Sequence, residues 1–297
     1  MLYFAEQVLN GVAVGVVYAL IAVGFAMVYG VLRLLNFAHS EVFAIGVAAA
    51  IPGSQWVSGV VSASAGVSGW SGFVLVLLGS AVMAGIAAML LERVAYRPLR
   101  GEPKVTVLLT AIAVSLLLQS LGLNLLGPET RSAPPFNLGV SPKIVALVLL
   151  VVTFTILWGF LYRTGVGMRL RAVAEDPSMA ELLGIRPDLM VTLVFLVGGI
   201  MAGVAGAEWT ILYGTFQPQM GFLPGLKAFI IAATGSVGSL SGTLIMALGL
   251  GLVESLVVAY FPSAWSGYRD SASFVVLFVV LYLRPNGLFG STSLPKV

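Results

Sequence analysis

The chain has 297 residues, 59% of them hydrophobic and only 9% charged, with a formal net charge of +3. A soluble globular chain carries about 25% charged residues, so this composition excludes a water-solvated surface and makes lipid the solvent for most of the protein. No cysteine is present, which excludes disulfides, thiolate zinc sites and thiol chemistry. The basic residues lie between apolar runs, which is the pattern of charged cytoplasmic loops rather than of a nucleic-acid surface.

The mean hydropathy is +1.04, and apolar runs of about 20 residues recur along the whole chain, each long enough to cross a bilayer as a helix. The fold class expected is therefore an all-α polytopic membrane protein of about eight to nine transmembrane segments. It is read as a single transmembrane domain over 1–297. The first run, 7–31, follows no basic n-region and is too long for the apolar core of a signal peptide. It is expected to stay as the first helix.

The next stretch, "LRLLNFAHSEVFAIG" at 32–46, sets Arg33, Asn36, the single histidine His39, Ser40 and Glu41 at a break between two apolar runs. The run after it, 38–51, is only 14 residues, too short for a full crossing. Broken backbone at membrane depth is tolerated where it is buried in protein or lines a wet cavity, and interrupted segments in both halves of a chain point to a transport route. Two readings of the side chains stand open: groups along a substrate path, or Asn36 as a helix cap with Glu41 serving the first turn. One histidine without cysteine is too little for a metal site. Residues 52–71 are Ser/Gly-rich and uncharged and read as an extracytoplasmic loop.

Spans follow at 72–91, 106–126, 143–162 and 190–212. Between them lie two basic loops, "ERVAYRPLRGEPK" with Arg93, Arg97, Arg100 and Lys104, and the 163–188 loop with Arg163, Arg169, Arg171 and Arg186. Both, with the tail carrying Arg284 and Lys296, should be cytoplasmic. The 127–142 loop should be outside, and counting crossings then places the N-terminus outside and the C-terminus in the cytoplasm.

Within the second basic loop, "RAVAEDPSMAELLGIRPD" carries a helix-building signature. Asp176 suits the N-cap, Pro177 the first helical position and Gly184 the stop. The result is a helix of about two turns exposing Met179, Leu182 and Leu183 to the cytoplasm. Such a face needs a cover, either a groove in a cytoplasmic partner or the bundle and lipid interface beside it.

Glu208 lies inside span 190–212, where an acid at a helix centre costs roughly 2.5–3.5 kcal/mol. It either faces the bundle, to meet polar substrate or a cation, or sits hydrated near the outer surface. The stretch 224–260, with Gly235, Gly238 and Gly242 at its middle, must enter and leave on one side. It reads as a re-entrant half-helix over 224–236 followed by a longer helix over 240–260. Glu254 in that helix is expected to pair with an Arg or a backbone group of a neighbour. A last span covers 271–284. No P-loop is present, since "GFLPGLK" at 221–227 has the wrong spacing and no Ser/Thr. With no H-E-x-x-H, nucleophile elbow or close acid pair either, the chain is not expected to be an enzyme.

Five segments in order, 10–46, "ERVAYRPLR" (92–100), "RAVAEDPSMAELLGI" (171–185), 235–255 and "RPNGLFG" (284–290), resemble the inner-membrane permease of branched-chain amino acid ABC importers. The resemblance is to the Liv-type family and, of its two paralogues, to the H-type. It implies the ABC importer permease fold and inward movement of branched-chain or other small amino acids, driven by ATP hydrolysis in partner subunits. The partners it implies are a second permease forming a heterodimer, two cytoplasmic ATPases that bind the ATP and Mg, and a periplasmic substrate-binding protein. No cofactor is implied for this chain and no nucleic acid as partner. The broken-helix motif maps onto Asn36 to Glu41 and the coupling helix onto 171–185, with Glu175 and Asp176 at its start. Ser40 replaces a glycine of the motif, Glu208 stands where relatives carry an apolar residue, and relatives that move urea, short amides or other amino acids leave the substrate open. An ion-coupled carrier or channel, suggested by Glu208, Glu254 and the broken helices, is the competing class, and a non-transporting scaffold the third.

Overall fold

The computed structural model describes residues 2–63, 69–235, 239–262, 267–284 and 287–288. Eleven α-helices occur among them. The first, α1 (Leu2–Leu32), is apolar on every face and runs about 46 Å at 1.5 Å per residue. A helix without a polar side is stable only when surrounded, and α1 is the axis of the bundle, with Val16, Val17, Ile21 and Ala22 fully buried.

Helix α2 spans His39–Ala63, α3 Gly69–Leu91, α4 Lys104–Leu126 and α5 Pro142–Arg163. Helices α6 (Gly165–Glu175) and α7 (Pro177–Leu182) are short. Helix α8 is Pro187–Tyr213, α9 Phe222–Thr234, α10 Leu240–Tyr260 and α11 Arg269–Leu283. Six of these, α1, α3, α4, α5, α8 and α10, are long and apolar enough to cross a membrane, among the described residues.

In lipid, close helix contact depends on small side chains, and the bundle is joined that way twice. Gly11 and Gly15 of α1 lie on Gly251 and Leu248 of α10, where a methyl on Gly251 would sit 2.3 Å from the Gly11 carbonyl oxygen. Gly199 and Gly203 of α8 lie on Ala84, Ala88 and Ala81 of α3, and the Ser80 hydroxyl donates to the Gly203 and Gly46 carbonyls at 2.7 and 2.8 Å.

The bundle has two distinguishable ends. At one, Arg97 and Arg100, just beyond α3, ion-pair with Asp188 at the start of α8. Arg93, Arg163, Arg169, Arg171 and Arg186 lie on the connections at this end. At the other, β1 (Arg131–Ser132) and β2 (Thr215–Phe216), distant in sequence, form a two-residue antiparallel ladder, and Gln55 of α2 donates to the Ser132 carbonyl at 3.2 Å. Lys143 of α5 approaches Glu6 of α1 at this end.

Two helices are discontinuous. Backbone after α1 turns at Arg33, a non-glycine with φ +51°, and α2 starts only at His39. Between α8 and α10 the chain passes through β2 and then α9, which at 13 residues covers about 20 Å, less than the ~30 Å hydrocarbon layer. The half-helix expected at 224–236 appears as α9 over Phe222–Thr234 and the long helix expected over 240–260 as α10; residues 236–238, Gly238 among them, lie outside the described residues.

Two expectations are corrected. The run 38–51 does not stop short: α2 continues to Ala63, 25 residues in all. Pro52 sits inside it, and the Ser54 hydroxyl donates to the Ile51 carbonyl at 2.7 Å. Polar, glycine-rich composition misled there because Val57 is buried against Val76 of α3 in a local cluster that holds the helix. Residues 52–63 are accordingly helix rather than loop, and 64–68 lie outside the described residues. The second basic loop also holds a helix not anticipated, α6, capped by the Thr164 hydroxyl accepting from Gly167 N at 3.0 Å.

Candidate functional site

The two interrupted segments meet. Ser40, in the first turn of α2, is wedged against the start of α9, where a methyl on Gly225 would sit 2.0 Å from the Ser40 Cβ and one on Gly221 2.6 Å from the Ser40 carbonyl oxygen. Two helix N-termini therefore face one point, and each carries roughly half a positive charge. Glu41 answers both. It lies in the first turn of α2, and its Oε2 is 3.0 Å from where a Gly221 Cβ would stand. Its Oε1 accepts from Ser115 and Gln119 of α4 at 3.1 and 2.9 Å. Asn36, His39, Ser40 and Glu41 are all buried.

Asn36 is not the side-chain cap of α2. Its Oδ1 accepts from the Tyr96 hydroxyl at 2.5 Å. Tyr96 thus anchors the broken backbone just before α2. His39 packs edge-on to Phe25. Its Nε2 has no hydrogen-bond partner and lies 2.7 Å from where a Gly24 Cβ would be. No group of three or more potential metal ligands occurs among the described residues.

Glu208 is 0% exposed, and neither carboxyl oxygen has a hydrogen-bond partner. It is not hydrated at the surface. Gly206, two residues before it, packs on Gly46 and Val47 of α2, which keeps that turn of α8 inside the bundle. Glu254 pairs with a lysine, not with the Arg or backbone group expected. Lys227 of α9 donates to Glu254 of α10 and to Asp270 of α11, both at 2.6 Å. The Tyr18 hydroxyl and Ser273 complete the cluster on Glu254, at 2.9 and 2.8 Å. Lys227 was legible only as a lone base in an apolar run; an intramembrane charge calls for a partner, and Glu254 is the matching one. The cluster ties the half-helix to α1, α10 and α11.

At the Arg-rich end, α7 forms as its capping residues require. The Asp176 carboxylate accepts from Ser178 N and Met179 N at 2.9 and 3.0 Å, and Gly184 adopts φ +78°. Met179, Leu182 and Leu183 are exposed, the two leucines by 82% and 78%. Glu175 ends α6, one residue before the cap. The structure thus holds two groupings, the buried junction of Asn36 to Glu41 with α9 and the exposed α7 face. Glu208 lies apart from Glu41's hydrogen-bonded group.

Residues 7–284 match the family model described as the branched-chain amino acid transport system permease component. The chain is 36% identical to the high-affinity branched-chain amino acid transport system permease protein LivH of Escherichia coli (strain K12), covering 100% of this chain and 98% of that one. It is 33% identical to the permease protein BraD of Pseudomonas aeruginosa, covering 99% and 98%. About half of the chain, 51%, also aligns at 30% identity with 46% of the autoinducer 2 import system permease protein LsrC of Photorhabdus luminescens. Similarity at this level over the full length, on an all-α polytopic membrane bundle, establishes that the chain belongs to the branched-chain amino acid transport permease family.

Proposed function

We propose that this chain is the permease subunit of an ABC importer that moves branched-chain amino acids inward across the inner membrane. The observation that carries the reading is α7, a capped two-turn helix that offers Met179, Leu182 and Leu183 to a cytoplasmic partner. A groove in an ATPase subunit is the cover such a face fits. On this reading the Arg-rich end is cytoplasmic and the end with the β1–β2 ladder and the N-terminus faces out. ATP and Mg belong to two ATPase partners, a second permease completes a heterodimer, and a binding protein delivers substrate at the end with the β1–β2 ladder.

The substrate path runs past the junction of α2 and α9. Glu41 presents a carboxylate to an amino acid's ammonium group, Ser40 and Gly225 set the width, and Asn36 and His39 hold the break. The test is ATP-driven uptake by the complete importer in proteoliposomes. Changing both Leu182 and Leu183 to Asp is expected to abolish uptake and release the ATPases, and full uptake by that variant overturns the reading.

A second reading, an ion-coupled carrier, is favoured by Glu208 alone, whose buried oxygens have no partner. It requires uptake by the isolated chain under an ion gradient without ATP. The importer reading requires none.

A further inference from the structure

The end of α3 is not α-helical. Glu92–Tyr96 form a π turn, closed by the Arg97 N–H on the Glu92 carbonyl, and Arg97–Leu99 tighten into a 3-10 turn. A π turn holds an extra residue and is rare except as a local feature of functional sites. Returning it to α geometry would rotate the residues beyond it by roughly 100°. Something has to hold it, and both of its ends are held from the same place. Arg97 Nη2 pairs with Asp188 at 2.9 Å, Arg100 bonds to both Asp188 and the buried Glu92, and Thr192 donates to Glu92 Oε2 at 2.9 Å. Asp188 and Thr192 belong to the first turns of α8, directly after α7.

The residue the π turn presents is Tyr96, whose hydroxyl holds Asn36 just before the start of α2. An unbroken series of contacts therefore joins the corner after α7 to the break in the bundle: Asp188, Arg100, Glu92, the π turn, Tyr96, Asn36. A cavity of about 690 Å³ lies beside this corner, with Arg93 and Arg97 on one wall and Pro177, Ser178 and Glu181 on the other. It leaves α7 room to shift, so that displacement reaches the π turn through Asp188.

We propose that Tyr96 is a positioning residue that transmits movement of the α7–α8 corner to the start of α2, with the π turn as the element whose register that movement changes. The proposal rests on the importer reading above. When the corner shifts, the Asp188 clamp loosens, the π turn relaxes, and the Tyr96 hydroxyl leaves Asn36 free to open the break.

The test uses the complete importer with its ATPases and binding protein. Tyr96→Phe keeps the ring on Phe195, 5.4 Å away between centroids, and removes only the hydroxyl. The complex is expected to assemble at wild-type yield and hydrolyse ATP within about twofold of wild type, while amino acid delivered per ATP falls about fivefold, the size one buried hydrogen bond supports. A merely structural role would lower uptake and hydrolysis together and leave that ratio unchanged. Asp188→Asn, at the far end of the series, is expected to lower the ratio likewise, and the double variant to be no worse than the poorer single one. An unchanged ratio in Tyr96→Phe, or losses that multiply in the double variant, overturns the proposal. A wild-type complex with no ATP-driven uptake sinks the importer reading itself, whereas a working wild type beside a Tyr96→Phe variant of equal ratio sinks only the relay.

Discussion

Ser40 and Gly225 occupy space that only one side chain can fill. A methyl placed on Gly225 lands 2.0 Å from the Ser40 Cβ and 2.6 Å from its Oγ, whereas the nearest backbone atom, the Ser40 Cα, is 3.3 Å away. Gly225→Ala is therefore expected to abolish uptake, and adding Ser40→Gly to restore most of it, read as initial uptake rate of the single and double variants. Recovery should be specific to that pair, because a glycine at position 40 removes the atoms the methyl strikes. At Lys227 the issue is charge. Replacing it with Met strands buried Glu254 without its cation and leaves Asp270 only Arg269, and breaking a buried pair from one side costs about 3–5 kcal/mol. Lys227→Met should unfold at markedly lower temperature in detergent. Lys227→Met with Glu254→Leu and Asp270→Asn should recover much of the loss.

Elements differ in how local their causes are. Helix α7 could be read outright, because Asp176, Pro177 and Gly184 settle its start and stop within nine residues of chain. Asp176→Ala removes both hydrogen bonds to the first turn and should cost the helix about 1 kcal/mol. Uptake is expected to fall while the bundle's unfolding temperature stays near wild type, since α7 projects from the body. The length of α2 was not legible in the same way: Pro52 and the serines and glycines after it resemble loop, and only the packing of Val57 on α3 turns them into helix. The same holds at the site. The break at Asn36 shows in hydropathy alone, but its partner Tyr96 lies 60 residues away in a stretch that reads simply as a basic loop. Glu208 offered two depths, and its burial follows from how closely Gly206 approaches Gly46.

At the scale of the molecule, the absence of cysteine makes orientation directly measurable. Single cysteines at Leu182 and at Glu129, on opposite ends of the bundle, should label from opposite sides with an impermeant maleimide: Glu129 in intact cells, Leu182 only after permeabilisation. The reverse pattern would invert the orientation proposed above. Electrical behaviour follows from the α2–α9 junction. With Glu41 taken as a carboxylate, its charge and two helix ends of about half a positive charge each sum to about zero, whereas a full charge crossing the membrane field is worth ~2.3 kcal/mol per 100 mV. A junction so balanced has nothing for the resting voltage to pull on. Uptake of a zwitterion should then run at the same rate when the potential is clamped at zero with potassium and valinomycin as when it is strongly negative inside.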